Sequence, residues 1–270
     1  MIIIYTFLNS PGFGDNLRGF ISLLQICNKI NYRQKNNKLK YQLFVDFSKS
    51  KIDKYIIYKL PLELLEISKN IEVKSFYYCN EENHEKEIID FLVNCKENLI
   101  RITTNNFPDE NNINDDMKNY IKNLFKFNSE FENKMNEYLK ILPEKYNLYH
   151  YRFGDTILLD ITKGEDEIDI QINSFNQLEN KKNSVIISDS LKFKQKIYEI
   201  YKNNEVFVFL TKPAHTGYDN PDSDDDINIF IDFMLITKAQ SISCYSIYQW
   251  ISNFILWTSH IYNVPLKNLK

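Results

Sequence analysis

The feature that most constrains this chain is the alternation, in its second half, of short β-branched runs with stretches of helical period. Ser184–Ser188 (SVIIS) precedes a helical pattern over Leu191–Lys202, and Glu205–Leu210 (EVFVFL) precedes one over Ile227–Lys238. Ser241–Cys244 then leads to a last helix expected from about Ser246 to Tyr262. Strands joined through helices run parallel, and a parallel sheet needs helices on both faces. A ligand of such a sheet lies beyond the carboxyl ends of its strands.

The first half follows the same plan less regularly. Ile2–Phe7 reads as a buried strand, and Asn9–Asp15 (NSPGFGD) as a turn opening a long helix. There Leu17, Phe20, Ile21, Leu24 and Cys27 recur at helical spacing to about Tyr32. Strands are expected at Tyr41–Asp46, Glu72–Tyr77 and Leu99–Thr103, with a helix at His84–Asn94. Ile113–Leu142 reads as two helices parted at Phe127–Ser129, with Ser129 as N-cap. Pro143 ends that stretch, which places a domain boundary between 1–144 and 145–270. The second domain opens on the strand Leu148–Tyr151, with a further helix expected around Asn173–Lys182. The chain, at 270 residues, is long enough for two cores. Two Rossmann-like α/β domains with mainly parallel sheets are therefore expected.

Composition removes several function classes. Lys+Arg 33 against Asp+Glu 36 gives a net charge of -3, which argues against nucleic acid as partner, since phosphate neutralisation needs a concentrated basic surface. No apolar run approaches the ~20 residues of a membrane span. The apolar opening MIIIYTF has no basic flank and reads as a strand rather than a signal peptide. The cysteines (Cys27, Cys79, Cys95, Cys244) form no C-x-x-C pair, which suits reduced thiols and a cytoplasmic location.

Glycine and arginine are scarce here, so their positions carry information. Gly12, Gly14 and Gly19 share one segment with Arg18, and Gly154 shares another with Arg152. The first, PGFGDNLRG, lies between a strand and a helix, where exposed N–H groups attract anions; a plain tight turn is the bland alternative. The second, Tyr149–Asp155 (YHYRFGD), ends a strand. An arginine fork, an imidazole and a carboxylate there suit a phosphate-bearing ligand; the alternative is an Arg152–Asp155 ion pair over a buried His150. In a third segment, Asp232–Trp250, Ser246 stands before the last expected helix, as a phosphate contact or an ordinary N-cap. Ser188 and Asp189 end a strand, where they would touch a nucleotide ribose or cap the following helix.

Taken together, these segments resemble the α1,2-/α1,6-/protein O-fucosyltransferase superfamily. The run H-x-R-x-G-D at His150–Asp155 is similar to its H-x-R-R-G-D motif, Asp232–Trp250 to its D…S-x-F-S-W-W block, and GFGDN to its G-x-G-N-Q turn. Phe153 replaces the second Arg of that motif, Gln249 the second Ser of the later block, and Asp15-Asn16 the Asn-Gln of the turn. The resemblance implies a GT-B fold of two facing Rossmann domains and inverting transfer from a GDP-sugar, with fucose as its sugar, to a glycan hydroxyl. It implies no metal and no cofactor beyond that donor. Arg152 would grip the donor β-phosphate, His150 would line the nucleotide cleft, and Asp232 would read the guanine edge. Ser246 would sit at the pyrophosphate, with Tyr248 and Trp250 on the block's Phe and first Trp, while Gly14, Asp15 and Asn16 would face the donor. Asp15 and Asp155 are the candidates for the acceptor's base. A non-catalytic sugar-nucleotide or glycan-binding protein retaining the fold is the alternative.

Other features read as structural. Asp222–Asp226 contains D-x-D but stands just before a helix, where acids favour the helix dipole. His84, His215 and His260 lack metal-ligand spacing. Tyr248, Trp250, Phe254 and Trp257 are expected on the core face of the last helix.

Overall fold

Two parallel sheets organise the protein, and each forms where the sequence holds unbroken runs of β-branched residues. The structure is a computed structural model that describes residues 1–10, 12–33, 40–77, 83–154, 164–202, 205–211 and 226–269. Its chain divides into two compact units, one built on Met1–Asn128 and one starting at Ser129.

In the first unit, β1 (Ile2–Thr6) leads to α1 (Phe13–Arg33), β2 (Gln42–Asp46), α2 (Leu62–Ser68), β3 (Val73–Phe76), α3 (His84–Asn94), β4 (Leu99–Thr104) and α4 (Asp115–Leu124). The strand order is β2-β1-β4-β3, every pair parallel. Ile3, Ile4 and Tyr5 of the central β1 are fully buried. Helix α1 lies tightly on this sheet because of Gly19, where a Cβ would stand 1.7 Å from the Thr104 carbonyl oxygen. The Tyr5 hydroxyl donates to Thr104 O at 3.0 Å and also approaches Asn16 O at 2.9 Å. Arg101 forms a buried ion pair with Asp46, and its Nε donates to Thr6 Oγ1 at 3.3 Å. Asn114 caps α4 by accepting from Met117 N at 2.9 Å.

In the second unit, α5 (Ser129–Leu139) precedes β5 (Asn147–Arg152), α6 (Glu165–Asn176), β6 (Ser184–Ser188), α7 (Leu191–Tyr201), β7 (Val206–Val208), α8 (Asp226–Lys238), β8 (Ser241–Ser246), α9 (Asn253–Tyr262) and β9 (Leu266–Asn268). The order β7-β6-β5-β8-β9 is again all parallel and puts β5 at the centre. Tyr151, Phe153, Phe175 and Phe193 are fully buried in its core, with the Tyr151 and Phe193 rings 4.5 Å apart. Both regions are therefore parallel α/β layers of the expected Rossmann-like class. No helix among the described residues is long and apolar enough to cross a membrane.

The elements differ from expectation in three places. Helix α6 starts at Glu165, earlier than the residues around Asn173, because Gly164 (φ +74°) turns the chain and Glu165, Asp166 and Glu167 occupy the first turn, where the helix dipole favours acids. Helix α9 starts at Asn253 rather than Ser246, since β8 stays paired to β5 as far as Ser246 opposite Arg152. The short α2 and β9 have no counterpart in the pattern reading.

Candidate functional site

The central strand of the second unit delivers Arg152 at its carboxyl end, between the ends of β6 and β8. The registers set Tyr151 beside Ser188, and Arg152 beside Ser246. Ile247 N donates to Arg152 O at 3.0 Å, continuing the pairing past β8.

Asp189, immediately after β6, organises this corner. Its Oδ1 accepts from Phe153 N at 2.8 Å and its Oδ2 from Gly154 N at 2.9 Å. The same Oδ2 lies 3.2 Å from Arg152 Nη1, with 23% of the arginine side chain and 10% of the aspartate side chain exposed. One carboxylate thus fixes both the guanidinium and the turn that follows it. Burial pushes the Asp189 carboxyl up, while Arg152 and the two N–H groups pull it down. Ser188 Oγ donates to Tyr151 O at 2.8 Å and accepts from Ser190 N at 3.1 Å. The N-cap of α7 is Ser190, which accepts from Phe193 N at 3.2 Å; that cap belongs neither to Ser188 nor to Asp189.

His150 points into the protein. Its Nδ1 lies 3.5 Å from Cys244 Sγ, and burial, helped by Arg152, pushes its pKa down to about 3. The imidazole is therefore neutral at physiological pH and carries no charge for a phosphate.

Lys194 escaped the sequence reading. It is buried on α7, and its ammonium donates to the carbonyl of Thr211 and to Thr211 Oγ1. Burial lowers its pKa, while Asp232 and Asp189 act to hold its charge. A signal did exist: Phe193, Lys194 and Ile197 fall on one helix face, and all three are buried. Asp232, half-buried on α8, has its pKa pushed up to about 6 by burial, with Lys194 the opposing influence. Arg152, Asp189, Lys194 and Asp232 thus form one series of alternating charge.

On the other flank, Ser246 Oγ accepts from Tyr248 N at 3.2 Å, so Ser246 organises a turn and does not cap α9. The Tyr248 and Trp250 rings stack at 5.1 Å and 8° from parallel. Both precede α9, contrary to the expectation that they share its core face. Gly154 (φ +86°) packs against Tyr248, and a Cβ there would stand 2.6 Å from Tyr248 Oη.

Gly14, Asp15 and Asn16 belong to the first unit, in the first turn of α1. The Asn16 amide is engaged by the preceding loop: Oδ1 accepts from Leu8 N at 3.2 Å, and Nδ2 donates to Leu8 O and Gly12 O at 2.8 Å each. Asp15 Oδ1 stands 3.4 Å from Arg18 Nη2, and the Arg18 guanidinium lies 3.9 Å from the Phe107 ring centroid. Asp155 lies outside the described residues, as do Asp222–Asp225; Asp226 is the first residue of α8 and is buried. Among the described residues no three His, Cys, Asp or Glu side chains converge to hold a metal ion.

No protein family and no curated relative matches the chain in sequence. Solved structures match its fold. FUT1 of Arabidopsis thaliana, a mutant in complex with GDP, superposes with a TM-score of 0.59 at 11% identity, over 99% of this chain and 70% of that one. The α-1,6-fucosyltransferase NodZ, soaked with GDP-fucose, gives 0.53 at 13% identity, over 98% and 93% of the two chains. POFUT1 in its apo form gives 0.53 at 9% identity, over 99% and 97%. The chain is thus structurally similar to fucosyltransferase-like GT-B proteins while sharing little sequence with them.

Proposed function

We propose that the protein is a glycosyltransferase that moves fucose from GDP-fucose to a glycan hydroxyl, with inversion and without a metal. The observation that carries this reading is Arg152, held by Asp189 at the carboxyl end of the central strand in a fold shared with proteins solved with GDP and GDP-fucose. The domain of residues 145–270 takes the donor and that of residues 1–144 most of the acceptor. The departing group of glycosyl transfer is a diphosphate, so positive charge at its oxygens is the chief electrostatic need of the transition state. Arg152 supplies that charge, and Ser246 and the Gly154 turn lie at the same strand ends. Asp232 accepts from guanine N1–H and N2–H₂, with Lys194 preserving its charge. His150 packs beneath the site as a neutral ring. The base for the acceptor hydroxyl is Asp15 or Asp155.

A second reading is a binding protein that keeps the fold without turnover. It is favoured by the placing of Asp15 against Arg18 at 3.4 Å, a contact that engages this carboxylate within its own helix. Calorimetry with GDP and GDP-fucose, followed by a donor-consumption assay over a glycan panel, tests both. Binding with turnover supports the transferase, and binding without turnover supports the second reading. Failure to bind GDP rejects the two together.

A further inference from the structure

We propose that Trp250, carried on Tyr248, is a stacking shelf for one pyranose ring of the glycan acceptor; this rests on the glycosyltransferase reading above. The turn after β8 builds the shelf in three steps. Ser246 Oγ holds Tyr248 N at 3.2 Å, Gly154 leaves room for the Tyr248 hydroxyl, and the indole lies on the phenol ring at 8° from parallel. Trp250 nevertheless stays 62% exposed. An exposed indole fixed on a second ring surrenders little conformational freedom when a partner settles on it.

The chemistry of the segment selects a neutral ligand. Residues 239–259 include no Asp, Glu, Lys or Arg, and Trp250 is flanked in sequence by the neutral, hydrogen-bonding Gln249, Ser252 and Asn253. A pyranose presents a face of C–H groups with hydroxyls at its rim, and the negative face of an aromatic ring attracts such weakly positive hydrogens. The cation proposed for the phosphate, Arg152, lies outside this segment, on β5 opposite Ser246.

The topology separates this shelf from the base. In the order β7-β6-β5-β8-β9, Asp189, Lys194 and Thr211 follow β6 and β7 on one side of Arg152, whereas Tyr248 and Trp250 follow β8 on the other. With phosphate at Arg152 and guanine toward Asp232, the glycosyl end of the donor leaves on the β8 side, where the acceptor ring must meet it.

Tryptophan emission reports the shelf directly, because the second of the two tryptophans, Trp257, is only 1% exposed. The native protein, with saturating GDP, is titrated with cellotetraose, chitotetraose and lactose. The expected result is a saturable emission change with at least one of them. Calorimetry with that sugar then shows binding at least tenfold weaker in Trp250→Ala and largely restored in Trp250→Tyr, with GDP affinity unchanged in both. Silence to all three sugars, or equal sugar affinity in Trp250→Ala, overturns the shelf. So does a loss of GDP affinity in Trp250→Ala, which would make the indole a base platform. Failure of the wild type to bind GDP instead sinks the transferase reading, so the two failures are told apart.

Discussion

Replacing Gly154 by Ala tests how the turn after β5 shapes the site. At φ +86° an L-residue is strained, by about 1–2 kcal/mol. The added Cβ would also stand 2.6 Å from Tyr248 Oη and 3.0 Å from Ile247 Cδ1. The phenol is the far end of a side chain, so it moves, and its stacking on Trp250 goes with it; that stacking is worth about 0.5–1.5 kcal/mol. Together these give a destabilisation of about 1.5–3.5 kcal/mol, a fall in melting temperature of about 3–14 °C at ~2–4 °C per kcal/mol. Differential scanning calorimetry reads the first consequence and the Trp250 emission maximum the second. Gly154→Asn separates the causes, because Asn tolerates positive φ better than Ala while bringing the same Cβ. It should melt between wild type and Gly154→Ala while shifting the emission as far as Ala does. If Gly154→Ala melts with the wild type and emits identically, the turn is neither strained nor coupled to the aromatic pair.

Arg152→Lys should weaken GDP binding despite keeping the charge, since the fork geometry is lost, and Arg152→Ala should cost about 1.5–3 kcal/mol; calorimetry that finds wild-type affinity in both rejects the phosphate role. With its folded pKa pushed up to about 6, Asp232 is harder to ionise in the native state than in the unfolded chain. Its contribution to stability is therefore present at low pH and lost as pH rises from about 4 to about 6, by about 1–3 kcal/mol. Denaturation of Asp232→Asn at several pH values should lack that loss, and a pH profile identical to wild type refutes the buried titration. The same carboxylate should give GDP at least tenfold over ADP and UDP above pH ~6, about 1.4 kcal/mol, and competition binding on Asp232→Ala should find that preference gone. Turnover should persist in excess chelator, and its abolition by EDTA with rescue by Mn²⁺ would refute transfer without a metal.

Legibility followed how local each signal was. Ser184–Ser188 and Leu191–Lys202 announced a strand and a helix because consecutive β-branched residues and a 3.6-residue period act within the segment itself. The start of α9 was not legible. Tyr248, Trp250, Phe254 and Trp257 read as one face of a helix, and the cause that prevailed is non-local: β8 extends through Ser246 because Arg152 stands opposite it on a strand almost a hundred residues earlier in the chain. For α6 the acidic Glu165–Glu167 looked like a connection, yet Ile168, Ile172 and Phe175 supply a buried helical face directly behind it. Arg152 stood out because a guanidinium ending an apolar strand is rare in a lysine-rich chain. Lys194 did not, because one lysine among many shows its burial only once α7 packs against the chain near Thr211.

The alternating series bears on how a chain with net charge -3 would hold the phosphate proposed for Arg152. Arg152 is screened by Asp189, Lys194 answers both Asp189 and Asp232, and the four charges sum to zero. An anion arriving at Arg152 therefore competes with Asp189 for the guanidinium instead of meeting an uncompensated cation. A guanidinium carries five N–H donors in a fixed fork, and the contact at 3.2 Å engages Nη1. A diphosphate that shares the fork keeps the arginine oriented, whereas a lysine would have to leave its carboxylate to reach it. Asp189 has a second hold on the site through Phe153 N and Gly154 N, so it stays in place while the guanidinium turns toward the ligand. Protonating Asp189 would loosen the ion pair, yet it would also weaken the two contacts that hold the Gly154 turn against Tyr248. The same carboxylate therefore couples the orientation of the Arg152 guanidinium to the Gly154 turn that packs against Tyr248.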